Sequence, residues 1–200
     1  ERLADIVRPK IGIVTNIGPA HLESFRDLNG VLEEKAHLIK KMDEAGTCIL
    51  NKDDTLLSQV KDEDIKCRFV YYGIHTNGCD FVADDIRLNF DSVDFLLNRQ
   101  YPFKLNVPGE HNLYNALCAI STSLLFNKIE IKDIQFALSS LRLPEGRLNI
   151  RKIDGCFIID DSYNCNPSSM REALRFISRC DSSYRKIICC ADMLELGDRA

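Results

Sequence analysis

The sequence predicts an α/β protein: a mostly parallel sheet with flanking helices and an antiparallel β segment, followed by the beginning of a second α/β domain. Three observations carry this. Over residues 1–72, strand-like apolar runs alternate with helix-spaced segments, the pattern of a parallel sheet with helical crossovers. Between residues 79 and 105 the apolar period drops to two, as in antiparallel strands joined by tight turns. At Leu143-Pro144-Glu145-Gly146-Arg147 the pattern breaks, and a new strand–loop–helix series starts.

The apolar run 9–17 reads as a strand ending in Thr15-Asn16, and 18–21 as a turn. Residues 29–42 place Val31, Leu32, Leu38, Ile39 and Met42 near one helical face, and Gly46 stops that helix. Residues 47–50 form the next strand and 53–61 a helix capped by Asp53 or Asp54. A third strand covers 67–72. In the period-two segment, turns are expected around Asn89-Asp91 and Asn98-Gln100. Gly109 opens a long helix to about residue 126, and 131–141 is a second one. Beyond the break, 148–153 and 156–159 read as a hairpin through Asp154-Gly155, with 156–159 a buried strand. Pro167 opens a helix to about Arg179, and a strand is expected at 186–190.

The 200 residues are 45% hydrophobic and 28% charged, enough for an ordinary globular core. A net charge of −4 gives no electrostatic case for nucleic acid or an anionic membrane surface. No apolar run approaches the roughly 20 residues that span a bilayer, so no membrane insertion is expected. Residues 1–5 carry no signal-peptide pattern and read as an internal boundary. Nine cysteines at irregular spacing, with no C-x-x-C pair, point to reduced, buried thiols rather than disulfides or zinc.

Four groups have chemical potential, each with a plainer reading. His21 follows a strand end and turn, where an imidazole can reach a metal or simply face water. Lys35 lies among apolar neighbours on a helix and reads equally as a snorkelling surface lysine. Asn112 and Asn115, at i and i+3 in Gly109-Glu110-His111-Asn112-Leu113-Tyr114-Asn115, offer two carboxamides suited to the edge of an adenine, or a cap and a packing residue. Arg147 and the loop Asp160-Asp161-Ser162-Tyr163-Asn164 pair a phosphate-seeking guanidinium with carboxylates able to accept from ribose hydroxyls. Taken alone, that loop is also an ordinary connection into a well-capped helix.

In this order the four groups resemble the Mur ligases, ATP-dependent amide-forming enzymes of bacterial cell-wall precursor synthesis. Thr15-Asn16-Ile17-Gly18-Pro19-Ala20-His21 with Glu34-Lys35-Ala36 is similar to the family's central-domain metal segment, and residues 109–117 to its adenine segment. Residues 160–170 and Asp192-Met193-Leu194-Glu195-Leu196-Gly197 are similar to the member that adds D-alanyl-D-alanine to UDP-N-acetylmuramoyl-tripeptide through an acyl phosphate. The resemblance implies a central ATP-binding domain over 1–143 and the start of a Rossmann-like C-terminal ligase domain over 144–200. It implies that His21 contacts Mg²⁺ and that Lys35, carbamylated by CO₂, helps hold it. Asn112 and Asn115 would face adenine. Arg147 and Asp161 would bind phosphate and ribose across a cleft, with Tyr163 and Asn164 nearby. The implied setting is the bacterial cytoplasm, and a monomer is expected. No G-x-x-x-x-G-K-[ST] phosphate loop occurs, so the chain is expected to begin after it and to be inactive alone. The alternatives are the member that adds the third amino acid, folylpolyglutamate synthase, or a non-catalytic nucleotide-binding homologue.

Overall fold

Six strands form one sheet in sequence order: β1 (Ile11–Val14), β2 (Thr47–Asn51), β3 (Arg68–Gly73), β4 (Phe81–Leu88), β5 (Val93–Leu97) and β6 (Tyr101–Leu105). This is a computed structural model, and it describes residues 2–18, 27–60, 65–126 and 128–193. The first three pairings are parallel and the last two antiparallel, so the expected mixed sheet is present. α1 (Arg2–Val7) precedes β1, and α2 (Leu28–Lys40) crosses from β1 to β2. β4 restarts alongside the end of β3, with Tyr72 opposite Phe81, and continues beyond it.

β2 is buried along almost its whole length because it lies between two strands and under helices on both faces. Ile49 joins Val70, Tyr72 and α3 (Glu110–Ser123) in one core. Cys48 and Leu50 point the other way, into a core with Val31 and Ile39 of α2. α3 packs across β2, β3 and β4, and α4 (Ile131–Ser139) packs on β6. In the antiparallel part, Phe95 and Phe103 are directly opposite and stacked with centroids 5.4 Å apart.

β7 (Asn149–Ile153) and β8 (Cys156–Asp160) form a separate hairpin. Its turn residues, Asp154 and Gly155, both have positive φ, as a primed turn requires. α5 (Pro167–Arg179) has Pro167 in its first turn, and Asn166 Oδ1 accepts from the Ser168 and Ser169 amides. Ser169 Oγ accepts in return from the Asn166 amide, closing a capping box. Among the described residues no helix is long and apolar enough to cross a membrane.

Several expectations need correction. The first strand is confined to Ile11–Val14, and residues 15–18 leave the sheet. The helix expected over 53–61 is only a 3₁₀ turn, Leu57–Gln59. Leu56 is its N-cap; Asp54 Oδ1 accepts from the Leu56 and Leu57 amides, but Val60 is already extended, so the turn is not propagated. β8 is exposed rather than buried, with Phe157 and Ile158 39% and 47% accessible, because a two-stranded ribbon leaves its faces open. Residues 186–190 form no strand, since no described strand lies alongside to complete a ladder. Of the nine free cysteines, Cys48, Cys67 and Cys118 are buried, whereas Cys156, Cys189 and Cys190 are exposed with their unpacked segments.

Replacing Leu117, which has no accessible surface, by alanine should lower unfolding free energy in urea by about 2–5 kcal/mol. Phe136→Ala, at a side chain 75% exposed, should change it by less than about 0.5 kcal/mol.

Candidate functional site

The carboxyl ends of β1, β2 and β3 converge, and two adjacent carboxylates tie them together. Asn51 ends β2 and its Oδ1 accepts from the Asp53 amide at 3.0 Å. The Asp53 carboxylate accepts from the Ile74 amide at 2.6 Å, the Thr76 amide at 2.7 Å and the His75 amide at 3.1 Å, all beyond the end of β3. It also accepts from the Tyr114 hydroxyl of α3 at 2.9 Å. Burial pushes against ionisation, but these bonds from Thr76, Ile74, His75 and Tyr114 hold the Asp53 pKa down at about 2. Asp54 accepts from the Ile17 amide at 2.7 Å and from the Leu56 and Leu57 amides at 3.0 Å.

Lys35 reaches into the same region from α2. It is half-buried, and its Nζ donates to the Asn16 carbonyl at 2.7 Å. Burial lowers its pKa by disfavouring the ammonium, while the Asp54 charge opposes that shift. The amine is therefore easier to deprotonate than a surface lysine. As the donor seen here it does not fit a magnesium ion, which takes oxygen ligands. Among the described residues no three His, Cys, Asp or Glu side chains gather as metal ligands. His21 lies outside the described residues.

The second part is the first turn of α3. Gly109, its N-cap, has φ +94°, and a Cβ there would meet His111 Cε1 at 2.7 Å, so only glycine fits. No side chain caps this helix, and the Asn112 amide donates to the Gly109 carbonyl at 3.1 Å. Asn112 is buried, and its Nδ2 donates to the Pro108 carbonyl at 2.7 Å. Asn115 is exposed. The two amides thus do not share one environment: the helical pitch carries Asn115 about 60° further from the buried stripe.

The third part joins two loops that flank the hairpin. Arg147 Cζ lies 4.1 Å from the centre of the Tyr163 ring. The Tyr163 amide donates to the Gly146 carbonyl at 2.9 Å, and the Leu148 amide to Asp161 Oδ1 at 3.0 Å. Ser162 Oγ donates to Asp160 Oδ1 at 2.6 Å. Arg147, Asp161, Tyr163 and Asn164 are all exposed. The unit stands against the first turn of α3. Arg179 of α5 is 3.7 Å from Glu110, and Asp161 and Glu172 lie close enough to act electrostatically on His111. Burial pushes the His111 pKa down, and those carboxylates oppose the shift.

Arg147 and Tyr163 are therefore brought into contact, Asp161 is bonded to the adjacent Leu148 amide, and the Asp160–Asn164 loop lies near the helix bearing Asn112 and Asn115. Lys35 belongs to a separate group with Asn16 and Asp54, linked to α3 through Asp53 and Tyr114. Sequence reasoning treated Asp53 and Asp54 only as helix caps and passed over Tyr114. Two carboxylates directly after a strand end were the available signal.

The Mur ligase middle domain model matches residues 1–123. The UDP-N-acetylmuramoyl-tripeptide–D-alanyl-D-alanine ligase of Bacillus subtilis is 30% identical over 198 residues, covering 98% of this chain and 42% of that protein. The Escherichia coli protein of the same name is 30% identical over 197 residues, covering 96% of this chain and 43% of its own length. A crystal structure of MurF from Acinetobacter baumannii superposes with a TM-score of 0.79 at 27% identity, covering 89% of this chain and 39% of that one. The chain thus spans about two-fifths of the length of the curated relatives it matches.

Asp53 makes a testable contribution to stability. Its pKa of about 2 lies below the ordinary 3.8, so its stabilisation is complete above about pH 4 and is lost as pH falls through 2. Asp53→Asn should flatten the acid limb of unfolding free energy between about pH 4 and 2. It should also cost about 1–3 kcal/mol at neutral pH, measured by urea denaturation.

Proposed function

This chain belongs to the Mur ligase family, and from that premise we propose that it serves ATP-dependent amide bond formation, adding D-alanyl-D-alanine to UDP-N-acetylmuramoyl-tripeptide in peptidoglycan precursor synthesis. One observation carries this reading: identity of 30% to ligases of that name runs through 98% of the chain, across both groups of elements that meet at α3. The proposal includes a division at residues 143–144 between an ATP-binding unit and the start of a ligase unit. A bacterial cytoplasmic setting and a monomeric state belong to it as well.

In the reaction, a peptide carboxylate takes the γ-phosphoryl group of ATP, the dipeptide amine attacks the acyl phosphate, and phosphate leaves. Arg147 carries a permanent cation with planar donors, suited to phosphate oxygens. Asp161 spends Oδ1 on the Leu148 amide and keeps its other oxygen for a ribose hydroxyl. Asn112 and Asn115 lie on the adenine side, the first as a buried support through Pro108 and the second as an exposed carboxamide. Tyr163 and Asn164 complete the nucleotide side. His21 and Lys35 are the residues assigned to Mg²⁺ on this reading. Lys35 would join a Mg²⁺ site only after CO₂ adds to its neutral amine, and burial favours that neutral form. When bound, Mg²⁺ offsets charge between phosphate and carboxylate.

The test is release of ADP by the full-length protein carrying this stretch, given the tripeptide precursor and D-alanyl-D-alanine, single amino acids or folate. Turnover should depend on the dipeptide. Lys35→Ala and Arg147→Ala should each lower it about 10²-fold or more. Turnover with a single amino acid or with folate instead would reject the assignment. The 200-residue chain alone, which contains no G-x-x-x-x-G-K-[ST] sequence, should release no dipeptide-dependent ADP.

A further inference from the structure

The Arg147 guanidinium is held in an unusual way for an exposed arginine. Its Cζ sits 4.1 Å from the centre of the Tyr163 ring. Among the described residues, the nearby ion pair, 3.7 Å between Glu145 and Arg151 of β7, goes to a different arginine. A carboxylate partner would use the in-plane N–H donors of a guanidinium, whereas an aromatic ring takes only a face and leaves the donors free. The backbones that carry the two side chains are fixed to each other. The Tyr163 amide donates to the Gly146 carbonyl at 2.9 Å, directly before Arg147, and the Leu148 amide donates to Asp161 Oδ1, directly after it. The fit between the two loops is close: Gly146 has φ +71°, and a Cβ there would lie 2.9 Å from the Tyr163 nitrogen.

We propose that Tyr163 is a positioning residue for Arg147: its ring is the platform that orients the guanidinium while leaving its planar donors open for the nucleotide's phosphate oxygens. This rests on the reading that Arg147 faces ATP. It gives Tyr163 a role through Arg147 rather than through direct contact with nucleotide, and it requires the ring but not the hydroxyl.

The experiment uses the full-length protein and initial rates at varied ATP. Tyr163→Ala should raise KM for ATP about fivefold, the scale of an exposed cation–π contact, with KM for the dipeptide unchanged. Tyr163→Phe, which keeps the ring, should rescue KM for ATP relative to Tyr163→Ala. In an Arg147→Ala background, Tyr163→Ala should have no further effect, because the partner of the stack is gone. Thermal melting checks folding, and the 66% exposed side chain makes a folding defect avoidable; Tyr163→Leu serves as a second ring-less variant. Three results would overturn the inference: Tyr163→Ala equal to wild type, Tyr163→Phe as impaired as Tyr163→Ala, or an undiminished effect of Tyr163→Ala without Arg147. If wild type shows no ATP-dependent ligation, the functional reading fails first; ligation with any of those three results rejects only the platform.

Discussion

Two neighbouring carboxylates organise the carboxyl end of the parallel sheet. Strand ends leave backbone amides with no ladder partner, and buried amides must be paired somewhere. Asp53 turns toward the loop after β3 and takes three of its amides together with the α3 hydroxyl of Tyr114. Asp54 turns toward the exit of β1, takes the Ile17 amide and accepts from the Leu56 amide of its own turn. Adjacent side chains thus bind loops from both flanking strands to β2. With residues 15–18 held, Asn16 presents its carbonyl to Lys35. The placement of Lys35 is therefore a consequence of backbone satisfaction at the strand ends as much as of its own helix.

The parallel strands were legible because continuous burial on two faces leaves an unbroken apolar run, as in β2. The antiparallel part was legible because one face is wet and the period falls to two. α5 announces itself through Pro167 in its first turn. Elsewhere local signals did not suffice. Asp54 has the chemistry of a cap whether three residues or nine follow it, and Val60 turning extended is a tertiary outcome. The apolar run at 186–190 has strand composition, yet a strand is a property of a pair. Of the candidate site, the residue types were readable. The separation of Asn112 from Asn115 was not, because it depends on where the buried stripe of α3 falls. Nor was the Arg147–Tyr163 stack, which exists only once the hairpin brings its two ends together.

The junction between the six-stranded sheet and the hairpin with α5 is held by chemically different contacts. Phe90 of the β4–β5 turn meets Phe157 edge-on at 5.0 Å and Phe176 in a stack at 6.0 Å. Such contacts are weakly directional and chiefly remove apolar surface from water. Arg179 pairs with Glu110 across the same junction, and within the hairpin unit hydrogen bonds tie Gly146 to Tyr163 and Leu148 to Asp161. These bonds are directional and fix register within the loops. Gly109 and Gly146 both have positive φ, and a Cβ would meet the His111 ring at the first and the Tyr163 backbone nitrogen at the second. The backbone approaches closely at Gly146, where the orientation of the two loops matters.

On the proposed reading, the two cations of the site are suited to different tasks by their surroundings. Arg147 is exposed, and a guanidinium keeps its charge at any physiological pH, so its environment need only aim it. An aromatic face does this without consuming donors. Lys35 is half-buried, and its environment acts on the charge itself: burial favours the neutral amine and Asp54 favours the ammonium. A site that needed only a second fixed positive charge would place that lysine in water or against a closer carboxylate. The structure instead lowers the pKa of Lys35 by burial, against the opposing charge of Asp54. An amine whose neutral form is favoured in this way is suited to react or change partner, a task the guanidinium of Arg147 does not share.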